Sequence, residues 1–254
     1  MAIDFNVVIP ARYASTRLHG KPLLDIAGKP MVIHVVEQAI KSGSKTVIVA
    51  TDNNEILDTV NSYGFDAMLT SESHLSGTDR IAEVAQKMGW SQDEIIVNVQ
   101  GDEPLIEPNL IIDVATNLSE HVNAAIATAC HPIHDKSSMF NPNIVKLVMD
   151  SEGYALYFSR APIPYDRDAF ALGLEVSEHT PVYRHLGIYA YRASFLAKFS
   201  DLKPSEIEKA ESLEQLRALW YGYKISVAVV EAAPSIGVDT HEDLLRVRNI
   251  LNSN

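Results

Sequence analysis

The chain has 254 residues, 46% of them hydrophobic and 21% charged, enough for one large core and unlike a disordered polymer. Its 33 acidic and 21 basic side chains give a formal net charge of −12, which argues against a general nucleic-acid or anionic-membrane binder. Cys130 is the only cysteine, which excludes an intrachain disulfide and a thiolate zinc cage; no apolar run reaches the ~18 residues of a bilayer span, so a soluble cytoplasmic protein is expected.

Residues 5–10 (FNVVIP) are an apolar run closed by proline and read as a buried strand. Residues 30–42 follow as a helix, with Val32, Val35, Val36, Ala39 and Ile40 at helical spacing, Pro30 in the first turn and Gly43 at the stop. The β-branched run 45–50 predicts a strand, 54–63 a helix and 67–70 a brief strand. Residues 78–88 form a helix with Ile81, Val84, Ala85 and Met88 on one face. A strand over 95–99, a helix over 107–118 and a strand near 124–129 complete the series. Strands with nearly continuous apolar character, alternating with helices, predict a parallel sheet covered by helices.

The rhythm breaks between Cys130 and Tyr191. Residues 144–149 and 186–191 read as strands, but Pro162, Pro164 and Pro181 interrupt the intervening segment. About 130–190 is therefore expected as an inserted lobe of strands and long loops, within a single domain spanning 1–254. Residues 193–199 are a short helix. Residues 205–220 read as one helix opened by a Ser205/Glu208 capping box, with Ile207, Ala210, Leu213, Leu216 and Trp220 on one side. A strand over 224–230 and a helix over 241–251, capped by Thr240, end the chain.

The first strand empties into ARYASTRLHGKPL (11–23), where an open α/β sheet binds ligands. Arg12, Arg17 and Lys21 cluster there in an otherwise acidic protein, which suits a triphosphate; a solvated basic loop is the plain alternative. The loop matches neither G-x-G-x-x-G nor G-x-x-x-x-G-K-[ST]. His131-x-x-His134 lacks an acidic partner at metal spacing, and no G-x-S-x-G or H-E-x-x-H string occurs.

IPARYASTRLHGKPL (9–23), TSESHLSGTDR (70–80), NVQGDEPLI (98–106), ALYFSRAPIP (155–164), YRHLGIYAYR (183–192), LEQLRALWYG (213–222) and GVDTHEDL (237–244) occur in unbroken order. Together they resemble the bacterial CMP-KDO synthetases, the 3-deoxy-manno-octulosonate cytidylyltransferases. The resemblance runs from about residue 5 to about residue 250. One departure is His19, where that family usually has proline.

The resemblance implies a Rossmann-like, mostly parallel sheet flanked by helices, similar to type A nucleotidyltransferases, with a dimerisation lobe. It implies transfer of CMP from CTP to KDO with Mg2+, for lipopolysaccharide synthesis, by a cytoplasmic homodimer. Relatives acting on sialic acid or 8-amino-KDO, and a non-catalytic nucleotide-binding module, are the rival readings.

Asp102, after Gln100 and Gly101 at a strand end, and Asp239, before the last helix, suit a magnesium site. Asp102 is alternatively an ordinary turn residue, and Asp239 a helix N-terminal acid. The similar family uses both positions for metal, with Arg12 and Lys21 completing the catalytic set; Glu103 is read as a neighbour of the metal site. For the nucleotide, the resemblance assigns Ala11, Arg12, Arg17, Lys21, Ser76, Gly77 and Arg80; Ser76 and Asp79 also suit a helix cap. For the sugar it assigns Gln100, Arg160, His185, Tyr189, Glu214 and Gln215. Arg160 is alternatively a surface charge, His185 a core histidine, and Glu214 and Gln215 a solvent-facing helix edge.

Overall fold

The structure is a computed structural model that describes residues 3–14, 18–74, 76–171, 181–231 and 236–253. In chain order its strands are β1 (Asn6–Ala11), β2 (Asp25–Ile26), β3 (Lys29–Pro30), β4 (Thr46–Thr51), β5 (Asp66–Leu69), β6 (Ile95–Asn98), β7 (Ala124–Pro132), β8 (Lys146–Met149), β9 (Ala155–Ser159), β10 (Tyr183–Arg192) and β11 (Lys224–Val229). The helices are α1 (Met31–Lys41), α2 (Asn54–Ser62), α3 (Gly77–Met88), α4 (Pro108–Glu120), α5 (Lys136–Phe140), α6 (Arg167–Ala171), α7 (Ala193–Phe199), α8 (Glu206–Glu211), α9 (Gln215–Trp220) and α10 (His241–Asn252).

The main sheet runs β11-β7-β10-β6-β1-β4-β5. Neighbours are parallel except at β10, which is antiparallel to both β6 and β7. The α/β expectation and its parallel core are met. Alternation along the strands feeds two cores: Val7, Ile9 and Val97 face α1 and α4, whereas Val8 and Ile96 face α3 and α7. Burial on both faces explains why these strands read as unbroken apolar runs.

From β1 the chain crosses to β4 on one side and later returns to β6 on the other. The carboxyl ends of β1 and β6 therefore flank a crevice at a reversal of strand order, the usual ligand position in such sheets. Gly101 is required there. A Cβ at this position would stand 2.8 Å from the Pro10 carbonyl oxygen, so only glycine lets the two strand ends approach. A third apolar cluster, including Leu18, Ile26, Met31, Val238, Leu244 and Val247, clamps α10 and the segment before it against the first loop.

Several boundaries differ from the sequence expectation. The predicted helix over 205–220 is two, α8 and α9, because Ser212 adopts a left-handed conformation at φ 52°. Its Ser205/Glu208 capping box is present, but Trp220 is exposed. Met88 likewise faces solvent, unlike Ile81, Val84 and Ala85. Between 130 and 190, α5 and α6 depart from the expected strands and loops, the strand-like stretch 157–159 belongs to β9, and β7 continues to Pro132 because β10 pairs along it. β8 and β9 pair with each other, and β8 with the start of β10, so this segment extends the central sheet.

Candidate functional site

A cleft of about 380 Å³ opens at the carboxyl ends of β1 and β6. Its walls include Ala11, Arg12, Lys21, Gly77, Gln100, Gly101, Asp102 and Asp239. Lys21 begins a short 3-10 turn (Lys21–Leu23) launched by Gly20, whose φ of 63° favours glycine. Lys21 Nζ donates to Asp102 Oδ2 at 2.6 Å and to Asp239 Oδ1 at 3.2 Å. The two carboxylate oxygens are thus within about 6 Å of each other, with a cation between them.

Backbone contacts create this convergence. The Val238 N–H donates to the Asp102 carbonyl at 2.9 Å, fastening the segment before α10 to the turn after β6. Thr240 caps α10 and forms a capping box with Asp243, so Asp239 lies just outside the helix. Neighbouring Glu103 is pushed up to about 7 by burial and by the charges of Asp102 and Asp239. Arg12 lines the cleft with its Nη2 buried and unpartnered among the described residues, a donor available to an incoming acceptor. His19 packs edge-on against Tyr13, with ring centroids 5.0 Å apart.

The opposite wall is the start of α3. Ser76 and Asp79 form a capping box, and Gly77 faces the cleft. Arg80 does not line the cleft: its side chain is wholly buried, paired with Asp52 at 2.8 Å and hydrogen-bonded to Thr70. Burial lowers its pKa, and Asp52 acts in the opposite direction.

A second, drier group lies beside the start of α3. A cavity of about 40 Å³ is lined by residues including Thr78, Tyr189, Tyr191, Glu214 and Gln215. The Thr78 hydroxyl donates to Glu214 Oε1. Burial raises the Glu214 carboxyl, only partly offset by its hydrogen bonds, and raises the phenols of Tyr189 and Tyr191. His185 packs against Tyr189, lies 2.9 Å from the Thr128 hydroxyl through Nε2, and is lowered to about 3 by burial. Gln215 Nε2 is buried without a partner among the described residues. Glu214 and Gln215 therefore face inward, not along a solvated helix edge.

The structure brings Ala11, Arg12, Lys21, Gly77, Gln100, Asp102 and Asp239 into one cleft, and Tyr189, Glu214 and Gln215 into the adjoining group, with His185 against Tyr189. Gly77 and Thr78, consecutive in α3, join the two. Arg160 is in neither. Its guanidinium donates to the carbonyls of Glu211 (2.7 Å) and Pro142 (3.0 Å). Lys146, itself buried, donates 2.6 Å to the Arg160 carbonyl and also binds those of Asn141 and Ile144. Arg17 lies outside the described residues. Sequence reasoning singled out neither Asp52 nor Tyr191; Asp52, directly after β4, carried the same strand-end signal as Asp102.

Residues 6–225 match the family described as cytidylyltransferase. This chain belongs to the cytidylyltransferase family. It is a nucleotidyltransferase, and its fold is similar to a solved CMP:2-keto-3-deoxy-manno-octonic acid synthetase complexed with CTP. The two are 42% identical, with 98% of each chain covered and a TM-score of 0.89. No helix among the described residues is long and apolar enough to cross a membrane.

Proposed function

We propose that this cytidylyltransferase moves CMP from CTP to the anomeric hydroxyl of KDO, giving CMP-KDO and pyrophosphate for lipopolysaccharide synthesis. The observation that carries the reading is the Lys21 ammonium between Asp102 and Asp239, in a cleft that Arg12 also lines. The CTP-bound synthetase similar to this chain supports the choice of both substrates.

In the reaction the sugar hydroxyl oxygen bonds to the α-phosphorus while the bond to the bridging β-phosphate oxygen breaks. Such a transfer needs alignment and charge stabilisation more than covalent help. Arg12 and Lys21 would hold phosphate oxygens through charge-assisted hydrogen bonds. The backbone of Ala11 and the Ser76–Gly77 turn would meet the nucleoside, with Arg17 adding charge. Gln100, His185, Tyr189, Glu214 and Gln215 would orient the sugar; neutral His185 and protonated tyrosines suit hydroxyl recognition. Arg160 would meet the KDO carboxylate only by leaving the Glu211 and Pro142 carbonyls that hold its guanidinium outside both groups.

The donor set fits magnesium: two carboxylate oxygens already converge on one cation, leaving other positions for phosphate and water. Asp102 and Asp239 would hold the ion, which supplies Lewis-acid stabilisation of charge on the phosphates. The protein would act in the cytoplasm, binding neither nucleic acid nor membrane. Residues 130–190 would form a homodimer surface, a reading supported by exposed Leu156 and Tyr165; sedimentation as a monomer at micromolar concentration would remove that part.

The test is pyrophosphate release from CTP, magnesium and KDO. Release that depends on KDO is the expected result. Folded protein that releases none, or that prefers sialic acid or 8-amino-KDO, overturns the assignment.

A further inference from the structure

Asp52 does not line the cleft, yet it lies between the cleft's two walls. It directly follows β4, whose last residue Thr51 is paired with Ala11 at the end of β1. Asp52 Oδ1 accepts from the Tyr13 backbone N–H at 3.4 Å, on the loop that carries Arg12. Its other oxygen, Oδ2, accepts from Arg80 Nη2 at 2.8 Å, on the helix that carries Gly77. Arg80 is completely buried, and its remaining hydrogen bond, to Thr70, leads back to β4 through the Thr70 hydroxyl and the Thr51 carbonyl. Arg12 adds a second positive charge close to Arg80. The Asp52 carboxylate therefore counters the buried Arg80 guanidinium, which Arg12 repels.

We infer that Asp52 is a positioning residue for the nucleotide, tying the Arg12 loop to the start of α3 so that both walls of the cleft hold their spacing before CTP enters. A carboxylate suits this position because its two oxygens can serve two partners at once. A neutral side chain would leave the buried Arg80 cation uncompensated. The inference rests on the proposed use of CTP and assigns Asp52 no contact with it.

The test uses two variants chosen to fold. Asp52→Glu keeps a counter-charge for Arg80 but shifts the acceptor facing Tyr13. The double variant Asp52→Asn/Arg80→Gln removes both buried charges together, leaving no unpaired cation. In each, calorimetry should show CTP binding weakened about tenfold. The KM for KDO should stay within about twofold, and the thermal midpoint should remain close to that of the parent. CTP affinity equal to the parent in either folded variant overturns the inference, as does a loss shared equally between CTP and KDO. If the unaltered protein itself fails to bind CTP, the functional reading falls and takes this inference with it.

Discussion

The cleft and the cluster beside it treat polar groups in opposite ways. In the cleft, Lys21, Asp102 and Asp239 meet as charges, with Asp102 and Asp239 substantially open to solvent. In the cluster, burial drives His185 down to about 3 and raises Tyr189 and Tyr191, which keeps these groups neutral, and it also raises Glu214, working against its charge. Charge recognition suits phosphates, which keep their charge; neutral donors and acceptors suit hydroxyls, which have none. The one-residue step from Gly77 to Thr78 separates the two environments, which would bring a nucleotide and a sugar close together under different rules.

The largest expected effect tests the charged side. Asp102→Asn keeps an acceptor but removes a negative charge, and pyrophosphate release should fall about 10²–10³-fold. CTP binding, followed by calorimetry, should weaken far less. Unchanged turnover would show that the Asp102 charge has no part in the chemistry.

A smaller effect tests the dry side. The unfolded chain protonates His185 near 6.5, whereas the folded protein does so only near 3. Between those values the unfolded state binds the extra proton, so stability is full above about 6.5 and declines as pH falls toward 3. By pH 4 this one group should cost about 3 kcal/mol. His185→Gln should flatten that part of the stability profile in urea denaturation, while Asp102→Asn should leave it in place. An identical acid limb in His185→Gln would mean that the imidazole is not held neutral by burial.

Legibility followed the range of the forces involved. Strands β1, β4 and β6 and helices α1 and α3 could be read because apolar spacing and caps are local. Helices α8 and α9 were merged because the pattern Ile207, Ala210, Leu213, Leu216 continues across Ser212, and nothing local reports its left-handed turn. Arg80 was expected at the cleft on the strength of the resemblance; the partner that holds it, Asp52, comes from a different strand end. Asp52 escaped because it acts by touching Tyr13 and Arg80, both distant in the chain.

By itself the sequence determined the alternating α/β architecture, the basic loop after the first strand and the Gly-Asp turn after β6, since apolar periodicity and turn chemistry act over a few residues. Its ordered motifs also pointed to the cytidylyltransferases. Only the tertiary structure decided that Asp102 and Asp239 share Lys21. That meeting needs β1 beside β6, a hydrogen bond from Val238 to Asp102, and the apolar contacts that draw α10 onto the first loop. Each joins segments far apart in the chain, and such contacts form only when the whole sheet has assembled.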